Sequence, residues 1–405
     1  MPGLGDLVEL TRATLLRVLI IHNRYRQPGG EDIVASSQAR LLREKGHEVQ
    51  LFEKDNREID GYGFLRRAAL FFQMADNPFG ASEVQKIVRD FRPHVAHVHN
   101  TLPLLSPSIY APLAKAGVKV IQFLHNYRLV CAAGTLHRNG SPCALCVDGG
   151  PEYAVRYCCW ADSRFASLGF TRMLRRHRRL RTWHKNVDLF VALNSFMRDL
   201  MVKQDIVPAE KTVVQPNFLE VERPQAAPGG VGEGFVSAAR LVPEKGVATL
   251  LRAHEQFRES RLEIIGDGLL LPPSPGPPFA GRLPREEVLK RLAAARALIF
   301  PSEWPEGCPS TVIEAMALGK AVIASRVPGA AGLVEDGVTG LLFEPGDAAA
   351  LAAQMKKLHE NPALAARLGG AGREKYLREY SPEAGYRRMV ENYRQLGLVS
   401  ASQGV

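Results

Sequence analysis

Short apolar runs recur along the chain, each followed by a turn and then by a stretch whose apolar positions fall three and four apart. Runs that are apolar throughout, rather than alternating, fit strands buried on both faces, and the 3.6-residue period between them fits covering helices. In the first half, Arg17 to His22, Val49 to Phe52, Ala96 to His99, Lys119 to Leu124, Asp188 to Leu193 and Thr212 to Gln215 read as strands. Glu31 to Lys45, Pro107 to Ala116 and Ser195 to Lys203 read as helices, with Gly46 and Gly117 closing the first two. A second series follows, with strands at Phe235 to Ala239, Leu262 to Ile265, Ala297 to Phe300, Ala321 to Ala324 and Leu341 to Phe343. Its helices are expected from Lys245-Gly246 to about Phe257 and over Pro284 to Ala293, Ala348 to Leu358, Pro362 to Glu379 and Pro382 to Leu396. Pro216 to Gly234, with Pro224, Pro228, Gly229, Gly230, Gly232 and Gly234, separates the two series and reads as a linker. The pattern predicts an α/β protein of two domains.

Three stretches break the alternation. Asn126 to Trp160 holds five of the six cysteines. Cys131, Cys143, Cys146 and either Cys158 or Cys159 make a plausible tetrahedral thiolate set for a structural zinc, with His137 as a spare ligand. Free cysteines packed in an irregular insertion are the alternative. Arg164 to Lys185 interleaves Arg164, Arg172, Arg175, Arg176, Arg178, Arg179, Arg181 and Lys185 with apolar residues, as in one long amphipathic helix. It can be a solvated face or can hold the chain on an anionic membrane. Leu269 to Ala280 carries Pro272, Pro273, Pro275, Pro277 and Pro278, which disfavour both helix and strand.

Composition narrows the partners. A chain of 405 residues with 46% hydrophobic residues can bury two cores. No apolar run reaches the roughly 18 to 20 residues that span a bilayer, and Arg17 interrupts Leu15 to Ile21. The expectation is a cytoplasmic chain, with contact to the inner face of the plasma membrane through 164–185. The net charge of +10 calls for an anionic partner. Nucleic acid is not expected, because no stacking platform or base-reading motif accompanies the charge.

The candidate chemistry sits at turns between strands and helices. Ser302 to Glu314 is a turn held open by Pro305, Gly307 and Pro309, leading into a helix whose first N–H groups, at Cys308 to Thr311, suit a phosphate. Glu306 and Glu314 bracket it, with seven residues between them. Both can also be ordinary helix-start acids. Arg240 and Lys245 follow the strand Phe235 to Ala239, where two cations can grip a diphosphate or merely face water. Gly29 and Gly30 form a first turn without the Gly-x-Gly-x-x-Gly dinucleotide pattern. His99, Asn100, His125 and Asn126 end two strands and are either site residues or packed polar groups.

On these residues, the Glu-x7-Glu run and the Arg240/Lys245 pair above all, the chain resembles the retaining group-1 (GT4) glycosyltransferases. The likeness runs from about Phe235 to Asp347, apart from the proline-rich segment. It implies the GT-B fold, two facing Rossmann-like domains with a cleft between them. The acceptor domain would be 1–215, the nucleotide-sugar domain 216–378, and 379–405 would return to the first. It implies transfer of a sugar from a nucleoside-diphosphate sugar to a glycan or lipid-linked acceptor, with retention and without an essential metal. Glu306 and His125 would act at the transferred sugar. Gly29, Gly30, Arg240, Lys245, Gly307, Cys308, Pro309, Ser310, Thr311 and Glu314 would hold the donor. A GT-B epimerase and a non-catalytic nucleotide-sugar-binding or membrane-associated scaffold stay open.

Overall fold

The computed structural model describes residues 15–26, 29–222 and 232–400. The lead-in Met1 to Thr14, Pro28 and the Pro224 to Gly230 part of the linker lie outside them.

Two six-stranded sheets organise the chain. The first is built from β1 (Arg17–Arg24), β2 (Glu48–Asp55), β3 (Val95–Val98), β4 (Lys119–Leu124), β7 (Leu189–Ala192) and β8 (Thr212–Val214), in the order β2-β1-β3-β4-β7-β8. The second is built from β9 (Phe235–Ala238), β10 (Leu262–Ile265), β11 (Phe279–Gly281), β12 (Ala297–Phe300), β13 (Ala321–Ser325) and β14 (Leu341–Phe343), in the order β11-β10-β9-β12-β13-β14. Every pairing in both sheets is parallel. A short antiparallel hairpin, β5 (His137–Arg138) and β6 (Ser141–Pro142), lies in the cysteine-bearing insertion.

The continuous apolar runs have the cause expected of them. Along β1, Leu19 and Ile21 join one core cluster while Val18 and Ile20 join another on the opposite face. Along β12, Leu298 and Phe300 divide from Ala297 and Ile299 in the same way. A parallel strand with helices on both sides has no wet face to leave polar.

The last described helix returns to the first sheet. Helix Pro362–Lys375 passes through a π-turn at Tyr376–Tyr380 into helix Pro382–Gln395. There Tyr386, Met389, Val390 and Tyr393 pack with Val18 and Ile20. Two buried hydroxyls fix the seat: Tyr386 lies 3.1 Å from His47 Nε2, and Tyr393 lies 3.0 Å from His97 Nε2. At the crossing, Leu219 N–H donates to the Tyr380 carbonyl, and Tyr376 Oη donates to the Leu219 carbonyl, each at 2.9 Å.

Several elements differ from the sequence pattern. Between β2 and β3, where the pattern assigns no element, stand helices Phe64–Gln73 and Pro78–Phe91. The first carries Arg66 and Arg67 among its apolar residues and has no glycine closing it, and Pro78 at the start of the second is a helix-opening residue rather than a turn. The basic segment is two helices, Arg164–Leu180 and Thr182–Asn186, broken at Arg181 in the left-handed region. A short strand, β11, forms directly after the last proline of 272–278. Proline cannot donate to a ladder, but Pro278 still accepts, taking the Ile264 N–H at 2.8 Å.

Tyr393→Phe should leave His97 Nε2 buried and unpaired and cost about 1–3 kcal/mol in urea-unfolding stability. An unchanged unfolding midpoint would show that this hydroxyl does not secure the returning helix.

Candidate active site

In each sheet the strand order reverses beside the strand that opens it, between β1 and β3 and between β9 and β12. Crevices open at the carboxyl ends of parallel strands at such switch points. In the second sheet, the loops leaving β9 and β12 therefore define the place where a ligand can sit.

Gly246 brings these two loops together. It has φ +69°, and a Cβ there would stand 1.9 Å from the Pro301 carbonyl oxygen, so no larger residue fits. The Glu303 N–H donates to the Glu244 carbonyl at 2.9 Å and draws the loops edge to edge. As a result Lys245, after β9, forms an ion pair with Glu306, after β12. Glu306 is buried, and its Oε1 also accepts from Ser302 Oγ at 2.9 Å and from Trp304 Nε1 at 2.7 Å.

The remaining expected donor groups lie on the loop after β9 and on the turn and helix after β12. Helix Ser310–Ala317 starts at Pro309, which supplies no side-chain cap to its first N–H groups. Glu314 on that helix is buried and pairs with Arg285 at 3.0 Å. Burial pushes its carboxyl above the ordinary range, and Arg285 only partly opposes this. Arg240 is exposed and forms no ion pair among the described residues. Cys308 has its thiol pushed up to about 12 by burial, so it stands as a neutral packing group.

The first sheet supplies the other wall. His125, just past β4, shares a 2.8 Å hydrogen bond with His99, just past β3, and the rings stack at 5.0 Å. Burial lowers both imidazoles' pKa, His99's the further, so both are neutral near pH 7. Beside them Tyr25 Oη donates to Glu31 at 2.8 Å, Asn126 Nδ2 donates to Tyr25 Oη at 3.2 Å, and Arg128 reaches the same hydroxyl. The Gly29 N–H donates to Asp32 at 2.7 Å, and a Cβ on Gly30 would meet nothing within 4 Å. Neither glycine has a positive φ, so local backbone strain is not what requires them.

Asn194 ties the two walls. It caps helix Ser195–Lys203, and its Nδ2 donates to the carbonyls of Glu306 at 3.0 Å and Gly307 at 2.7 Å. A Cβ on Gly307 would stand 3.1 Å from the His125 carbonyl oxygen. The structure thus gathers Lys245, Glu306, Gly307 and His125 in one place and pairs Glu314 with Arg285. Gly30 touches none of the donor-side groups described here, and neither does Asn100, which braces Asn23 and Leu102 in the first domain. Tyr25, Glu31, Arg128, Trp304 and Arg285 escaped the sequence reading. Asn194, an N-cap residue directly after an apolar run, carried a usable signal.

The zinc expectation does not hold. Among the described residues no group of three or more His, Cys, Asp or Glu side chains is placed to hold a metal ion, so Cys131, Cys143, Cys146 and Cys158 do not form a ligand set. All six cysteines are free. Cys131 lies in the core, with Cys146 and Cys159 packed against it. Burial pushes the Cys146 thiol up to about 12, with Cys131, Cys159 and Cys143 adding to the effect. Cys131, Cys146 and Cys159 fill the irregular insertion as small apolar groups.

Comparison with known proteins agrees with the architecture. The family "Glycosyl transferases group 1" matches residues 222–375, and "Glycosyltransferase Family 4" matches residues 28–223. The amylovoran biosynthesis glycosyltransferase AmsK of Erwinia amylovora is 30% identical over 181 residues, 40% of this chain and 44% of that protein. The chain therefore spans less than half the length of this curated relative. Sucrose-phosphate synthase from Thermosynechococcus elongatus superposes with a TM-score of 0.67 at 21% identity, covering 94% of this chain and 99% of the other. HepE of Anabaena in complex with UDP superposes at 0.64 and 17% identity, covering 94% and 100%.

Glu314 predicts a pH effect. Its folded pKa lies above the ordinary 4.5, so the folded state binds the proton more tightly and stability falls as pH rises from about 4.5 through the folded pKa. Glu314→Gln should remove that slope, so the variant gains on the parent protein across this window in urea midpoints. A difference that stays constant with pH would contradict the assignment.

Proposed function

The chain belongs to the group 1 glycosyl transferases of the GT-B fold, and from that premise we propose that it transfers a sugar from a nucleoside-diphosphate sugar to a glycan or lipid-linked acceptor, with retention at the anomeric carbon. The observation that carries the reading is the Lys245–Glu306 pair at the β9/β12 switch point, with His125 across the cleft. Support for the donor class comes from the UDP bound by HepE, and support for a surface polysaccharide product from the amylovoran synthesis of AmsK.

In this reading the second domain, 216–378, holds the donor. Lys245 and the unpaired guanidinium of Arg240 meet the diphosphate, and the backbone N–H groups of Cys308, Ser310 and Thr311 add the helix-start field. As the bond to the leaving nucleoside diphosphate lengthens, negative charge collects where these fixed cations already point, and no divalent metal is needed for that task. Glu314 binds the ribose hydroxyls, exchanging part of its contact with Arg285. Glu306, held by Ser302 and Trp304, positions the donor sugar. Neutral His125 hydrogen-bonds that sugar near the reacting carbon, its ring oriented by His99. The first domain, 1–215, presents the acceptor, with Gly29 and Gly30 leaving room for it and for the phosphates to approach. Closure would bend the chain near Pro216 and Tyr380.

A thermal-shift screen of nucleoside diphosphates should find a ligand that adds about 2.7 kcal/mol at 100 times its dissociation constant. No stabilisation by any of them would overturn the donor assignment. Lys245→Ala and Glu306→Gln should each lower kcat/KM about 100-fold to 1,000-fold in a radiolabelled sugar-transfer assay, with turnover surviving EDTA. Near-normal turnover in both variants would remove the pair from the reaction.

A further inference from the structure

Helix Phe64–Gln73 is an anomaly. Phe64, Leu65, Ala68, Ala69, Leu70, Phe71 and Phe72 make it mostly apolar, yet none of its residues is fully buried. Phe64 is 84%, Leu65 82% and Phe72 60% exposed. An isolated helix of this length is marginal in water, so it depends on what it rests against. Its support is the basic helix Arg164–Leu180, where Gly169 leaves room for Phe71; a Cβ there would stand 3.1 Å from that ring.

The basic helix itself cannot lie free on a membrane as an amphipathic rod. Its apolar face, Phe170, Met173 and Leu174, is spent on the core of the first domain. What remains outside is its cationic side and an apolar edge, Phe165 and Leu168, both exposed. That edge continues onto the neighbouring helix: Phe165 stacks on Phe71 at 4.6 Å, Phe71 touches Phe72 at 5.0 Å, and the Arg172 guanidinium lies 5.2 Å from the Phe72 ring centre.

Neither helix contains an acidic residue. Of the carboxylates near them, Asp60 pairs with Arg26, Asp76 with Arg176 and Glu152 with Arg175, while Asp162, just before the basic helix, is exposed and forms no ion pair among the described residues. Among the described residues Arg66, Arg67, Arg164, Arg172 and Arg179 form no ion pair. Exposed aromatic and leucine side chains framed by unpaired arginines, whose stems can lie along apolar surface while the charge reaches outward, match an interfacial lipid surface. A second copy of this face would set like charges against each other. No helix among the described residues is long and apolar enough to cross a membrane.

We propose that helices Phe64–Gln73 and Arg164–Leu180 together form a docking surface for an anionic lipid bilayer, with Phe64, Leu65, Phe72, Phe165 and Leu168 entering the headgroup region and Arg66, Arg67, Arg164 and Arg172 meeting lipid phosphates. Met173, on the inner side of the basic helix, lines the pocket that contains His99 and His125, so this surface stands one helix away from the first domain's share of the cleft. The inference goes beyond the proposed reaction and does not rest on it.

The test is sedimentation of the full chain with phosphatidylglycerol/phosphatidylcholine vesicles and with phosphatidylcholine alone. Binding is expected only with the anionic vesicles, weakening as salt rises. Each arginine neutralised should cost about fivefold in partitioning, so Arg67→Gln with Arg172→Gln should lose about 25-fold. Leu65→Ser with Phe72→Ser should also release the protein. Unchanged melting temperatures and nucleotide-induced stabilisation in these surface variants would show that folding and donor binding are intact. The proposal fails if anionic vesicles are not bound, if neutral vesicles bind equally, or if the variants bind like the parent. It fails equally if the same substitutions instead abolish self-association in the absence of lipid.

Discussion

A half-buried lysine and a buried glutamate facing each other at the β9/β12 switch point set the terms for the rest of the molecule. Taking both charges out of water costs several kcal/mol for each ion, and the cost is offset only by close pairing and additional hydrogen bonds. Ser302 and Trp304 supply those bonds, and Gly246 supplies the close approach, because a side chain at that position would collide with the Pro301 carbonyl. The pair is weak evidence for stability by itself. In the proposed reading it is charge stored in the cleft, which would exchange partners when the donor diphosphate arrives.

The same turn governs how the two halves meet. Asn194 reaches from the first domain to two successive carbonyls, Glu306 and Gly307, and Gly307 is small enough for the His125 backbone to sit against it. Behind the cleft the chain crosses twice, at Leu219 and at Tyr376–Tyr380, and the final helix docks on the first sheet through buried tyrosine–histidine contacts. The halves are therefore joined by a few directional bonds at the mouth and by packed apolar surface at the back. This distribution permits rotation about the back without separating the domains.

The arginine-rich helix shows how one element meets two demands. Its inner face completes a core while its outer face keeps a cationic row, and the left-handed geometry at Arg181 ends it. With Phe170, Met173 and Leu174 buried, only Phe165, Leu168 and Leu180 are left as exposed large apolar residues of this helix, and its neighbour adds Phe64, Leu65 and Phe72.

The sequence by itself determined the two βα series, most strand limits within a residue or two, and the loops bearing Arg240, Lys245, Glu306 and Glu314. It could do so because a parallel strand buried on both faces must be apolar throughout, and because proline and glycine mark the turns that follow. Helices Phe64–Gln73 and Pro78–Phe91 were not legible, since a βα alternation calls for one helix between β2 and β3 whereas two stand there, neither closed by a glycine. Nor did spacing decide the cysteines: CxxC records a distance along the chain, whereas ligation needs side chains converging in space. Only the tertiary structure decided that Lys245 pairs with Glu306 while Glu314 pairs with Arg285, that Asn194 bridges the domains, and that His99 backs His125. Those contacts join residues from separate loops, and their partners are set by the order of the strands rather than by any local preference.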